Sequence, residues 1–197
     1  GGPWEPTGEA VAYHFERFRA SAPFFIVALE TGLRLGDLLN LRWSSADLTE
    51  GVVSIRTGKT KRTAVIPFSS ELRAAFNVLR FGASGEGYVF ESEAEGALVR
   101  QRWSWTVLRR YFVIAKRIAG IERRFRFHDI RHTFCSTKVS AGMPLEILQK
   151  MTGHATLAML QRYARPDLEA LRRAMASAEM RVGMRVESAR VDRGAVS

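Results

Sequence analysis

Six side chains scattered along this chain have the types that one reaction needs: Arg34, Lys59, His128, Arg131, His154 and Tyr163. Most fall in three short runs, TGLRLGDLLNLRW (31–43), HDIRH (128–132) and GHATLAMLQRYA (153–164), and Lys59 lies in TGKTKR (57–62). Two guanidiniums, an ammonium, two imidazoles and a phenol are what a metal-free enzyme needs to attack a phosphodiester. In such a reaction a phenol can attack phosphorus, cations can hold charge on the phosphoryl oxygens, and imidazoles can move protons.

Each run also has a plainer reading. His128 and Arg131 are three apart and share a helix face, where a phosphate meets an imidazole and a planar two-pronged donor. A surface His and Arg at that spacing is commonplace. His128 and His132, four apart, raise zinc, but the metalloprotease pattern needs Glu after the first His and Asp129 stands there. Gly58-Lys59-Thr60 raises a nucleotide P-loop, but Val53 stands where the first Gly is required, and the stretch lies inside a hairpin pattern. A lysine at a hairpin tip is ordinarily a solvated charge; its functional alternative is a phosphate contact or proton donor, with Lys61 competing for the role. Arg34 and Asp37 are a surface ion pair of little worth, unless Asp37 fixes the arginine fork toward a phosphate. Tyr163 on an Arg-flanked helix is ordinarily a packing residue. A phenol of pKa about 10 needs a proton acceptor or a cationic surround to act as nucleophile, and Arg34, Lys59, Arg131 and His154 would supply that surround if gathered.

These side chains need elements to position them. SAPFFIVALETG (21–32) reads as a buried helix stopped by Gly32, preceded by helical spacing over 9–20. A helix follows Arg34, with Leu35, Leu38, Leu39 and Trp43 on one face. Residues 52–68 hold two β-branched runs around TGKTKR, a hairpin. Ser69 or Ser70 caps a helix over 71–80. Residues 82–87 form a loop, 88–90 a short strand, and ESEAEG an exposed acidic segment. Helical spacing covers 99–119, with Trp103, Val107, Phe112 and Ile114 inward; 121–127 is extended. Further helices are expected over 128–140, from Pro144 to Gly153, over 157–163, and from Pro166 to about 181. The expected fold is mainly α with a small antiparallel β-sheet in the N-terminal third.

The 197 residues suit one domain and the apolar content, 46%, supports a globular core. The net charge of +10 is uneven: residues 1–96 carry 10 Lys/Arg against 12 Asp/Glu, and residues 97–197 carry 20 against 8. The positive field belongs to the second half, which favours a polyanion, most often nucleic acid, over an idle basic surface. The single cysteine, Cys135, leaves no internal disulfide and suits a reducing cytoplasm. Neither a transmembrane run nor a signal peptide is expected, and Gly-Gly-Pro-Trp resembles a domain edge or an expression scar.

Taken in order, the runs resemble the tyrosine recombinases, the family of phage integrases and Xer-type recombinases. The match is Arg in T-G-L-R, Lys in the hairpin, H-x-x-R, G-H, then Tyr. Lys59 lies 25 residues after Arg34 and eight before Pro67, and Tyr163 lies nine after His154. The resemblance spans about residues 20–167. It implies that Arg34 and Arg131 are the two catalytic arginines and that Tyr163 is the nucleophile. It further implies that His128 and His154 are catalytic histidines, Lys59 the hairpin lysine, and Asp37 the support of the first arginine. Lys61, Arg62 and Arg162 are candidate DNA contacts.

The implied activity is site-specific recombination of double-stranded DNA through a 3′-phosphotyrosyl intermediate, with neither metal nor other cofactor. Other protomers are the implied partners: a tetramer in synapsis, a monomer in isolation. A type IB topoisomerase shares the chemistry, and a DNA-binding module with a dead site is the non-enzymatic alternative. Residues 1–182 are expected to form the catalytic domain and 183–197 a basic tail that is disordered or docks on a neighbour. The family's N-terminal core-binding domain has no room in this chain.

Overall fold

The computed structural model describes residues 21–81, 83, 85–93, 100–163, 172 and 175. The segment expected to be helical at 9–20, that at 166–181 apart from residues 172 and 175, and the tail 183–197 lie outside the described residues.

Helix α1 covers 21–31 of the described chain and buries Phe24, Val27 and Ala28 completely. It ends at Gly32, whose φ of +57° is a left-handed conformation that L side chains adopt only with strain. A Cβ there would also come within 2.4 Å of the Phe134 ring. Helix α2 (Leu35–Leu39) starts after Arg34, which takes the N-cap position with extended backbone (φ −71°, ψ 150°). Expected on the face of α2, Trp43 instead lies beyond it. The helix stops at Leu39, and a 3₁₀ turn (Trp43–Ser45) carries the indole into the core.

The hairpin pairs β2 (Val52–Arg56) with β3 (Thr63–Pro67), with Val53 opposite Ile66 and Ile55 opposite Ala64. Those four side chains face inward, as the alternation demands. A third strand, β1 (Ala46–Asp47), pairs antiparallel with β2; at two residues it is too short to leave a periodic signal. Ser69 is the cap of α3 (Ser70–Arg80): its Oγ accepts from Leu72 N at 3.1 Å and donates to Glu30 Oε2 at 2.8 Å, tying α3 to α1.

The next region departs from expectation. The strand is not 88–90 but β4 (Glu91–Glu93), and the segment expected to begin a helix at 99 is strand β5 (Arg100–Arg102). Both strands are polar throughout, so neither an apolar alternation nor an apolar run marks them. Their register sets Glu91 opposite Arg102, unlike charges directly across an antiparallel pair. Tyr88 makes a single bridge with Arg42.

The helical half follows with α4 (Trp105–Ile118), α5 (Phe127–Ser140), α6 (Leu145–Thr152) and α7 (Ala158–Gln161). Asp129 caps α5 by accepting from Arg126 N at 2.7 Å, which holds its carboxyl below the usual range. The main core runs from Phe24 to Ile130 and interlocks Phe24, Phe90, Trp103, Phe112 and Phe127 by ring contacts. A second, smaller core of Phe134, Cys135, Leu148 and Leu160 lies under α5–α7, and Tyr163 packs against it. No helix among the described residues is long and apolar enough to cross a membrane.

Candidate active site

Arg131 sits at the centre. It projects from the second turn of α5 and is only 3% exposed. Its Nη1 donates to Gly32 O at 2.8 Å and its Nη2 to Thr152 O at 2.9 Å. One buried side chain thus joins the end of α1 to the end of α6. A buried cation is tolerable only when its N–H groups are engaged. Burial first, then the neighbouring Arg34, brings its pKa down to about 10.

His154 lies against it, 5% exposed. Thr152 Oγ1 donates to Leu148 O at 2.6 Å, so its lone pair is what faces His154 Nδ1 at 2.5 Å. Arg131 Nη2 lies 3.2 Å from Nδ1 and 3.0 Å from Nε2 of the same ring. His154 therefore packs directly on the Arg131 guanidinium.

Burial, followed by Arg131 and Arg34, lowers the His154 pKa to about 3. The folded value lies below the unfolded one, so the neutral side chain contributes fully above about pH 6.5. That contribution is lost as pH falls from about 6.5 toward 3, because the unfolded chain takes up the proton first. Thermal melts at pH 7 and pH 5 should therefore differ more for the wild type than for His154→Gln. Equal differences would contradict a buried neutral imidazole.

Arg34 is the second guanidinium. Its Nη1 lies 4.0 Å from Asp37 Oδ2, and both atoms are buried with no hydrogen-bond partner among the described residues. Arg34 lowers the pKa values of Arg131, His128 and His154. Three cationic or basic groups therefore feel Arg34, and the single carboxylate of Asp37 is not hydrogen-bonded to it.

Asp37, 8% exposed, serves a further contact: its Oδ1 accepts from Gly58 N at 2.8 Å. That bond ties α2 to the β2–β3 turn and so places Lys59, the next residue. The turn is pinned from its other side by Thr60, whose Oγ1 donates to Gly153 O at 2.8 Å. Arg62 Nη1 donates to His154 O at 3.4 Å. Lys59 and Lys61 are exposed, and neither ammonium has a hydrogen bond or ion pair among the described residues. Lys61 has φ +57°, the left-handed region.

Gly153 is where turn and helix meet. It ends α6 with φ +64°, and a Cβ on it would come within 2.8 Å of Thr57 Cγ2. Gly153→Ala should cost about 1–2 kcal/mol from the backbone alone and push the hairpin off His154. Urea titration and adduct formation on DNA would report the two losses separately; an alanine variant of unchanged stability would contradict this packing.

Tyr163 follows α7 and is half-buried. Its hydroxyl is hydrogen-bonded to His132 Nδ1, the two rings lying 5.7 Å apart at 50°. His128 stands edge-on to the His132 ring at 4.8 Å. Desolvation, then His132, Arg131 and Arg34, lowers its pKa. The cationic surround does not win at the phenol either: burial raises the Tyr163 pKa, with Arg162 and Arg131 opposing. Arg162 is exposed and its Nε donates to Met159 O at 3.1 Å.

The structure thus gathers Arg34, Asp37, Arg131 and His154 at one point, with His128 and Tyr163 within electrostatic reach of Arg131. It leaves both hairpin ammoniums unengaged. His132 and Thr152 are additions. His132 has a sequence signal, its spacing from His128, but that signal points to zinc; its partner is 31 residues away. No group of three or more His, Cys, Asp or Glu among the described residues is placed to hold a metal ion.

The neighbouring guanidiniums of Arg34 and Arg131, with Tyr163 in electrostatic reach of Arg131, form a cationic cluster suited to phosphoryl oxygens on a mainly helical scaffold. A sequence profile of the phage integrase family matches residues 16–169. XerC tyrosine recombinase of Xanthomonas axonopodis pv. citri is 32% identical over 147 residues, which are 74% of this chain and 46% of that protein. The integrase of Salmonella phage P22 is 31% identical over 144 residues, 70% of this chain and 37% of its own length. The crystal structure of XerA recombinase superimposes with a TM-score of 0.63 at 26% identity, covering 90% of this chain and 67% of that one. The chain belongs to the phage integrase family. It spans about half or less of the length of the curated relatives it matches.

Proposed function

We propose that this chain cleaves and rejoins double-stranded DNA in site-specific recombination, through a 3′-phosphotyrosyl bond on Tyr163 that forms without metal or ATP. The observation that carries the reading is the buried, unpartnered Nη1 of Arg34 beside the engaged fork of Arg131. Arg34 destabilises the charge on Arg131, and a bound phosphodiester anion or its more highly charged transition state relieves that.

In the cleavage step Tyr163 Oη forms a bond to phosphorus and the P–O5′ bond breaks. Arg34 and the free N–H groups of Arg131 hold the non-bridging oxygens, and His154 keeps Arg131 aimed. The departing 5′-oxygen takes a proton from Lys59, whose loop Asp37 anchors. Lys61, Arg62 and Arg162 are exposed cations suited to the DNA backbone. Attack by a 5′-hydroxyl from another strand reverses the step, and the ester keeps the bond energy. Exchange between partners calls for several protomers on DNA, which we take to be a tetramer. Buried, unpaired Cys135 accords with work in the reducing cytoplasm of a bacterial or phage-infected cell.

The test uses a pool of nicked duplexes of random sequence, in which the short 5′-hydroxyl fragment diffuses away after cleavage. The expected result is a protein–DNA adduct on a denaturing gel, with one sequence enriched in the trapped DNA. No adduct at any sequence would refute the reading.

A further inference from the structure

Resting on that reading, we propose that Thr60 is a positioning residue: its hydroxyl clamps the β2–β3 turn to the end of α6 and so sets Lys59, rather than Lys61, at the departing 5′-oxygen. The turn is tied on both sides of Lys59. Before it, Gly58 N donates to Asp37 Oδ1 at 2.8 Å. After it, half-buried Thr60 donates from Oγ1 to Gly153 O at 2.8 Å. Within the turn, Lys61 N donates to Thr57 O at 3.0 Å and Thr57 N to Arg62 O at 2.9 Å. The direction of the Thr60 bond is fixed, because a carbonyl only accepts and the single hydroxyl proton goes to Gly153. The Thr60 oxygen can still accept, and Thr57 Oγ1, wholly buried, stands 2.6 Å from it. Gly153 lets turn and helix end meet, since a Cβ on it would come within 2.8 Å of Thr57 Cγ2.

Both neighbours of Lys59 are thus anchored, one to the helix that starts after Arg34 and the other to the loop that carries His154. The lysine side chain itself is exposed. An ammonium on a flexible four-carbon stem delivers a proton only as well as its backbone is held, so the anchors decide its reach. Lys61 lies past the clamp, where its left-handed φ of +57° turns the chain back toward β3. In the step itself Tyr163 Oη bonds to phosphorus and the P–O5′ bond breaks. Its electron pair stays on the 5′-oxygen, which takes the proton from Lys59 Nζ. Loss of the Thr60 hydroxyl leaves the phosphoryl oxygens to Arg34 and Arg131 and loosens the proton donor alone.

The test uses the nicked duplex that the wild type traps best, in two forms: one with the natural scissile 5′-oxygen and one with sulfur in its place. Sulfur leaves as a thiolate, the base of an acid of pKa about 8.5, and needs no proton. Thr60→Val keeps the branched shape without the hydroxyl, and Thr60→Ser keeps the hydroxyl. Thr60→Val should form adduct about 10- to 100-fold more slowly on the oxygen substrate and at the wild-type rate on the sulfur substrate; Thr60→Ser should restore the oxygen rate. The ratio of the two rates is read on one protein sample, so a smaller folded fraction cancels. A Val variant slowed equally on both substrates, or on neither, overturns the assignment. Lys59→Ala should show the same selectivity more strongly, whereas any slowing by Lys61→Ala should be equal on both; the reverse pattern overturns the choice of lysine. A wild-type chain that forms no adduct on either substrate refutes the recombinase reading itself, which separates the two failures.

Discussion

Arg131→Ala should abolish adduct formation and destabilise the fold at once. The side chain bonds to Gly32 O, Thr152 O and His154 while almost wholly buried, so truncation strands two buried carbonyls and an imidazole. Each stranded buried polar group costs about 1–3 kcal/mol, and loss of a transition-state donor costs about 10²–10³ in rate. Arg131→Lys should rescue neither fully: an ammonium on a flexible stem does not bridge the ends of α1 and α6 in the plane that a guanidinium does. The check pairs urea unfolding with the adduct assay. A stable Arg131→Ala protein that still reacts would contradict the placement of this residue at both jobs.

Tyr163→Phe should remove all covalent adduct and leave the rest intact. The change deletes one oxygen from a half-buried ring and keeps its packing on the Phe134–Cys135–Leu148–Leu160 core. Only the bond to His132 is lost, and a single hydrogen bond nets about 1 kcal/mol. Binding to DNA, read by mobility shift, should be unchanged and should still weaken steeply with salt. A large drop in binding would mean that Tyr163 is mainly a structural residue.

These expectations show which parts of the molecule its sequence discloses. The β2–β3 hairpin is plain in the alternation of Val53, Ile55, Ala64 and Ile66, since one face is buried and the other wet. Helix ends are plain at Gly32 and Gly153, where positive φ disfavours other residues. Polar strands β4 and β5 are hidden because charge pairing across strands leaves no periodic trace. Arg34, Lys59, Arg131 and Tyr163 come to attention through their order and spacing. Their partners do not, because Arg131 to Gly32 and His132 to Tyr163 are contacts between segments far apart in sequence. Direction of action is the least visible. The spacing that brings out His154 says nothing of its contacts with Thr152 and Arg131. Likewise spacing alone does not show that His132 bridges the His128 ring and the Tyr163 hydroxyl.

The most direct measurement is the identity of the residue joined to DNA. Wild-type protein trapped on a nicked duplex is digested with protease, and the DNA-linked peptide is sequenced by mass spectrometry. A 3′-phosphate ester on Tyr163 is the predicted result, with a free 5′-hydroxyl on the released strand. An ester on any other residue, or an adduct that persists in Tyr163→Phe, would contradict the account.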